Sequence, residues 1–227
     1  MTAASDCEAC RHGWVTQPAN TLSSLAYVVA GADLMRRPDA DRAFAGAVVA
    51  VGLGSVAYHG PGGAWGKWAH DASLIAMLGL LALSDVTLVA GRDRPPGAVA
   101  GVVGGAMAAA HPATSEVAQL SVGALAVAAE ARRYARMAGT GELAGSGGLF
   151  AAGLVVQVLG RTGRPWCRPG SFAQPHAAWH VLSAASLWLR RRPDQVPVPG
   201  TSGTPSATSG TSSGWWRKPQ RRRRWAV

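Results

Sequence analysis

The chain has 227 residues, of which 48% are hydrophobic and only 15% charged, and its formal net charge is +10. This balance disfavours an ordinary soluble protein, in which about 25% of residues are charged. It also disfavours a nucleic-acid-binding surface, because six of the 22 basic residues lie in the last eleven positions and most others stand singly between apolar stretches.

Seven apolar segments follow one another, and they predict an all-α bundle of transmembrane helices. Each has about 15 to 22 residues, near the length of a helix that crosses a hydrocarbon core. They are rich in alanine and glycine, which let membrane helices pack closely. The alternative is a soluble alanine-rich bundle, but its helices should carry a charged face, which these segments lack. The predicted spans are 19–35, 43–59, 69–90, 97–111, 116–131, 143–159 and 172–189.

The basic residues between the spans predict an orientation. Alternate connections carry eleven lysines and arginines on one side and five on the other, before the tail is counted. Because cytoplasmic loops are enriched in these residues, we expect an N-terminus outside and a C-terminus in the cytoplasm of a multi-pass cell-membrane protein. Residues 1–18 then form an extracytoplasmic segment, and residues 19–192 form the seven-helix domain.

Residues 193–227 form a predicted disordered cytoplasmic tail. Its first part, Pro193 to Gly214, is rich in Pro, Ser, Thr and Gly and has too little apolar surface to fold. Its end, WWRKPQRRRRW, combines tryptophan with clustered basic residues, which favours binding to an anionic lipid surface. The alternative is a solvated tail without a role.

Ionisable residues cluster at one predicted end of the spans. His59 closes the second span, and His176 and His180 open the seventh, four residues apart on one helix face. Three histidines at one depth are typical of a catalytic zinc site that keeps its fourth position open. Imidazole nitrogen suits Zn²⁺ better than Mg²⁺ or Ca²⁺, which prefer oxygen. The sequence therefore predicts a zinc site at the outer face.

Two further residues lie beside these histidines. Ser55 precedes His59 by one helical turn, so its hydroxyl either points at the metal site or bonds back to a carbonyl of its own helix. Asp71 opens the third span and either accepts a proton from the nucleophile or orients a histidine. We expect His70, about 100° away around the helix, to lie outside the site.

Other polar residues receive no role in the site. His12 and His111 are expected at the membrane interface. Asp85 lies deep in the third span without a basic residue at its predicted depth, and a polar side chain such as Gln157 is its expected partner. No function is assigned to Asp85.

Five motifs in order carry a family resemblance. They are CE, NTLSSLAYVVAG, GLGSVAYH, the following Asp71, and PHAAWHVL. Together they resemble the alkaline ceramidase family, within the superfamily of seven-transmembrane zinc hydrolases that includes the adiponectin-type receptors and the Per1-type lipid-remodelling proteins. The resemblance covers residues 6 to 190.

The resemblance implies a zinc-dependent hydrolase that splits ceramide into a sphingoid base and a fatty acid. It implies His59, His176 and His180 as the zinc ligands, and Ser55 and Asp71 as the catalytic pair. The distance from His59 to Asp71 is one residue longer than in the eukaryotic ceramidases, through the stretch GPGG. This departure makes Asp71 the weakest match of the five.

The resemblance also bears on the N-terminal segment. It implies a disulfide between Cys7 and Cys167, with Cys10 as the spare candidate for the first partner. Family members bind calcium through acidic residues near the N-terminus, to which Asp6 and Glu8 correspond loosely. Gln17 stands where the family has a glutamate, so the resemblance does not carry a calcium site over intact.

Other functions stay open at this stage. The same zinc chemistry serves an ester in a lipid esterase or phospholipase. A receptor-like membrane protein would keep zinc for structure alone. A haem-binding cytochrome is disfavoured, because such proteins usually ligate haem from facing helices, whereas His176 and His180 share one face.

Overall fold

Seven α-helices follow one another within the residues that the computed structural model describes, which are 4–38, 40–137 and 143–190. No β-strand occurs within these ranges, so the prediction of an all-α fold is confirmed. A 3₁₀ turn, Ala4–Asp6, precedes the first helix, and a π-helical turn, Leu143–Gly147, leads into the sixth. The helices are α1 (Pro18–Arg36), α2 (Arg42–His59), α3 (Gly63–Val89), α4 (Ala98–Ala109), α5 (Ser115–Met137), α6 (Gly148–Gly160) and α7 (Pro175–Leu189).

The helices agree with the seven predicted segments in order, but three ends differ by five or six residues. Helix α3 begins at Gly63 rather than at residue 69. Gly62 and Gly63 form the turn into this helix, and their φ angles are +71° and +79°. Glycine tolerates these left-handed angles, which explains why the stretch GPGG forms the turn between α2 and α3. Helix α5 continues to Met137, through arginines that hydropathy placed in a connection, and α6 begins at Gly148.

Only α3 among the described helices is both long enough and apolar enough by composition to cross a membrane. Two shorter apolar helical stretches, Ala98–Ala109 and Ala144–Gly160, fall below that length. The residues of the predicted tail, 193–227, lie outside the described part of the chain.

Close helix packing places the ends of α2, α3 and α7 together. Helix α1 packs against α2 and α7, α2 packs against α3, and α6 packs against α7. Glycines allow this approach: a Cβ added at Gly52 would lie 2.6 Å from Val28 Cγ2, and one at Gly66 would lie 2.4 Å from the Ala57 carbonyl oxygen. Val48 and Leu80 are fully buried in the core between the helices.

Asp85 lies in a buried cluster of charges, and the expectation that it pairs with Gln157 is wrong. Its Oδ1 is 3.7 Å from Arg133 Nε, and the Arg190 guanidinium donates to the same oxygen. Arg133 and Arg190 also bind Glu130, at 2.8 and 3.2 Å. Sequence reasoning missed Arg133 because it ended the fifth span at residue 131, whereas α5 continues to Met137 and turns that side chain inward. It missed Arg190 because it placed this residue, directly after α7, in a basic connection.

Candidate metal centre

Three histidines from two helices converge at one end of the bundle, as the sequence predicted. One ring nitrogen from each of His59, His176 and His180 lies within 4.8 Å of the other two. The ring centroids are 5.0 Å apart for His59 and His176, 5.3 Å for His59 and His180, and 4.4 Å for His176 and His180. All three side chains are buried. Their nitrogens are therefore close enough to bind one ion.

Local structure at two helix ends sets these positions. His59 is the last residue of α2, which ends at Gly60 before the glycine turn into α3. Helix α7 begins at Pro175. Proline is common in the first helical turn because an N–H at that position has no partner within the helix, so its absence costs nothing. The start of α7 thus presents His176 and His180 on one face, next to the end of α2.

Each histidine uses Nδ1 for a hydrogen bond to a neutral acceptor. His59 Nδ1 donates to Gln17 Oε1, and His176 Nδ1 donates to Gln157 Oε1, both at 2.7 Å. His180 Nδ1 lies 2.9 Å from Ser23 Oγ. The Ser23 hydroxyl donates to the Asn20 carbonyl, so its oxygen accepts from His180. These acceptors place the proton of each ring on Nδ1.

This pattern leaves the Nε2 atoms with free lone pairs. Nε2 of His59 and Nε2 of His176 are buried and have no hydrogen-bond partner among the described residues. A buried imidazole nitrogen without a partner is unfavourable unless it binds something. Three neutral imidazoles with Nδ1 held by outer hydrogen bonds are the donor set that a zinc ion takes. The residues present therefore fit zinc.

The N-terminal segment holds Gln17 beside His59. Gln17 Nε2 donates to the Glu8 carbonyl at 2.9 Å. The Glu8 carboxylate accepts from the backbone amides of Ala19 and Asn20, at 2.8 and 2.9 Å, and so caps the start of α1. A carboxylate at a helix N-terminus satisfies unpaired amides and interacts favourably with the helix dipole. Both oxygens of Glu8 thus serve the start of α1, and the loosely expected calcium role of Asp6 and Glu8 stays a prediction.

A disulfide fixes this segment to the connection before α7, as the resemblance implied. Cys7 is bonded to Cys167, and Cys10 is free and exposed. The Cys7 amide also donates to Thr162 Oγ1 at 3.1 Å. Because Glu8 follows Cys7 directly, the disulfide holds the cap of α1 near the histidines.

Asp6 lies next to the centre on the same segment. Its Oδ1 is 3.8 Å from His176 Nδ1, which is longer than a hydrogen bond, and it accepts from Ser5 Oγ at 3.3 Å. Burial raises the pKa of Asp6, although His70 and Arg161 oppose this shift. The Gln157 amide, rather than Asp6, is therefore the hydrogen-bond partner of His176.

Ser55 is buried on α2 one turn before His59. No hydrogen bond from its hydroxyl to a carbonyl of α2 is found among the described residues. A role for Ser55 at the metal centre stays a prediction.

Asp71 lies on α3 and is tied to neighbours on its own helix. Lys67 Nζ lies 2.5 Å from Asp71 Oδ2, and His70 Nδ1 lies 3.0 Å from Asp71 Oδ1. His70 stacks on Tyr58 and its ring centroid is 6.4 Å from that of His59. His70 therefore stays outside the three-histidine set, as expected, but it connects Asp71 to the edge of the centre. His12 and His111 are exposed.

Sequence reasoning missed the residues that orient the histidines. Gln17 was noticed only as a departure from an acidic position, Gln157 was given to Asp85, and Ser23 received no role. A signal for the two glutamines was present, because a polar amide next to an apolar helix needs a hydrogen-bond partner. Which histidine each one binds follows only from the packing of α1, α2, α6 and α7.

Comparisons with known proteins add no family assignment. A scan against protein-family models and a search of curated proteins both found no match to this chain.

Proposed function

We propose that the protein is an intramembrane zinc-dependent hydrolase that cleaves a lipid amide of the ceramide type. The observation that carries the proposal is the three-histidine centre, in which three Nδ1 atoms are bound by neutral acceptors and unpartnered Nε2 atoms remain for a metal. The choice of a lipid amide rests on the resemblance of the motifs to the alkaline ceramidases.

The outer surface of the helices supports a membrane location. Large apolar side chains stand exposed on several helices, which is unfavourable in water and favourable against lipid. Trp14 and Trp65, exposed near the histidine end, suit a membrane interface. The arginine bias of the connections supports the N-terminus-out orientation of seven spans. Examples of the exposed apolar side chains are Val29, Leu53, Val117, Leu120 and Val155, which are between 51% and 70% exposed.

His59, His176 and His180 would hold the zinc ion. When bound, zinc supplies Lewis-acid chemistry, which activates water as a nucleophile at neutral pH and polarises a substrate carbonyl. Three protein ligands leave a position open for these roles. Gln17, Gln157 and Ser23 keep the rings in the tautomer that this binding requires.

Ser55 and Asp71 have separate roles in this proposal. The Ser55 hydroxyl donates a hydrogen bond to the carbonyl oxygen of the scissile amide as negative charge develops there. Asp71 accepts the proton of the attacking water and returns it to the leaving nitrogen. Lys67 Nζ, 2.5 Å from Asp71 Oδ2, and His70 Nδ1, 3.0 Å from Asp71 Oδ1, fix the orientation of the carboxylate.

The test combines metal analysis with a lipid-hydrolysis panel on the full chain purified in detergent. We expect about one zinc per chain and release of fatty acid from ceramide, with loss of both in His176→Ala. Ser55→Ala is expected to keep zinc and to lower kcat by about 100-fold to 1000-fold. The matched control is His111→Ala, an exposed histidine outside the centre, which should resemble the wild type.

Other outcomes separate the competing functions. Hydrolysis of phospholipid but not of ceramide would indicate a lipid esterase rather than an amidase. Zinc without hydrolysis of any lipid would indicate a receptor-like protein. Zinc retained in His176→Ala would contradict the ligand set, and a Soret band would indicate haem.

A further inference from the structure

A groove lies between α3 and α5 at the end of the bundle away from the histidines. Its volume is about 260 Å³. Helix α3 contributes Val86 and Val89, the residue after it is Ala90, and α5 contributes Ala129 together with two arginines. Asp85 also lines it, fourteen residues after Asp71, or about 21 Å along α3. The groove is therefore distinct from the candidate metal centre.

The two arginines of the groove have no charged partner among the residues that the structure describes. Arg132 and Arg136 are exposed, four residues apart on one face of α5. Neither forms an ion pair or hydrogen bond with the residues that the structure describes. Two unneutralised guanidinium groups at the mouth of an apolar groove favour an anionic ligand.

The acidic residues nearby do not cancel this charge. Asp85 and Glu130 are paired with Arg133 and Arg190 inside the bundle, so the formal charges of these four residues cancel. Counted over residues 4–38, 40–137 and 143–190, Arg132 and Arg136 thus leave a net charge of about +2 at the groove. The chain's own tail is an unsuitable occupant, since its last eleven residues carry six positive charges.

We propose that this groove binds one anionic phospholipid of the cytoplasmic leaflet. Its phosphate lies between Arg132 and Arg136, where guanidinium groups bind phosphate oxygens through charge-assisted hydrogen bonds. Its glycerol and upper acyl carbons lie against Val86 and Val89. Basic pockets between membrane helices on the cytoplasmic side bind anionic headgroups in this way. The inference rests on the proposed membrane orientation, but not on hydrolysis.

The test measures binding of phosphatidylglycerol and of phosphatidylcholine to the full chain in detergent by native mass spectrometry. We expect phosphatidylglycerol to bind more tightly than phosphatidylcholine. Arg132→Gln with Arg136→Gln should weaken phosphatidylglycerol binding about thirtyfold. The matched control, Arg36→Gln with Arg92→Gln, removes the same charge from two exposed arginines outside the groove and should bind like the wild type.

Three results would overturn the proposal. They are equal binding of the two lipids, an equal loss in the control pair, and full binding in the groove variant, which would assign the lipid to the tail. Inorganic phosphate that displaces the lipid at millimolar concentration would indicate a site for the free anion instead. Arg132→Lys with Arg136→Lys keeps the charge and should retain most binding, which separates binding loss from misfolding. Ceramide hydrolysis by the groove variant tests the proposed function separately.

Discussion

His59 Nδ1 donates a hydrogen bond to Gln17 Oε1 over 2.7 Å, although the two residues are 42 positions apart in the chain. This bond places the ring proton on Nδ1 and leaves Nε2 of His59 as a buried lone pair at the three-histidine centre. Gln17 is in turn held by the Glu8 carbonyl. The N-terminal segment therefore positions a histidine of the candidate metal centre that belongs to α2.

Replacing Gln17 should weaken zinc binding without removing a ligand. Gln17→Leu removes the acceptor for His59 Nδ1–H, and loss of such an outer hydrogen bond lowers metal affinity by about 10-fold to 100-fold. Gln17→Glu keeps an oxygen acceptor and should retain the affinity. Competition with a chelator measures the change, and Gln119→Leu on α5 is the control. Unchanged zinc affinity in Gln17→Leu would show that the bond does not orient the ligand.

Breaking the disulfide should lower both stability and zinc affinity. Cys7 and Cys167 are separated by 160 positions, and a bond that closes so long a loop stabilises a fold by about 2–5 kcal/mol. Glu8, next to Cys7, would lose its fixed place at the start of α1. Thermal unfolding and zinc titration of Cys7→Ser test this. Cys10→Ser, which removes a free thiol, should leave both quantities unchanged, and the prediction fails if the two variants behave alike.

Adding a methyl group at Gly54 should separate α2 from α3. Its Cβ would lie 2.7 Å from the Ala69 carbonyl oxygen and 2.6 Å from Ser73 Oγ. Overpacking of this kind is expected to destabilise the fold by about 1–3 kcal/mol. Because Ser55 follows directly, hydrolysis should fall as well.

The control for Gly54→Ala is Gly104→Ala on α4. A Cβ at Gly104 meets nothing within 4 Å, and alanine favours a helix interior by about 0.5–1 kcal/mol relative to glycine. Gly104→Ala should therefore have an equal or higher melting temperature. A higher melting temperature for Gly54→Ala than for the wild type would contradict the close approach of the two helices.

Removing Arg133 should destabilise the fold while leaving the metal centre intact. Arg133→Met takes away one of the two cations beside Asp85, and an incompletely paired buried carboxylate costs about 3 kcal/mol. Arg132→Met, at the adjacent exposed position, should change stability by about 0.5 kcal/mol or less. Melting temperature and zinc content in detergent are the measurements. Loss of zinc from folded Arg133→Met would show that the two ends of the bundle are coupled.

The sequence by itself determined the all-α class, the order of the seven helices and the three histidines. These features depend on local spacing alone. Each helix corresponds to an apolar segment of helical length, and His176 and His180 share a helix face because they are four positions apart. The start of α3, the end of α5 and the start of α6 were predicted less accurately. A hydropathy pattern shows neither the turn at Gly62 and Gly63 nor that the side chain of Arg133 is buried within α5.

The tertiary structure decided which residues serve the histidines and which neutralise Asp85. Gln17, Ser23 and Gln157 reach their histidines across helix contacts that no spacing in the chain reveals. Arg133 reaches Asp85 because α5 is longer than its apolar segment and packs against α3, and Arg190 reaches Asp85 from the position directly after α7. A hydrogen bond or an ion pair depends on distances between side chains from different helices, and those distances exist only after the helices have packed.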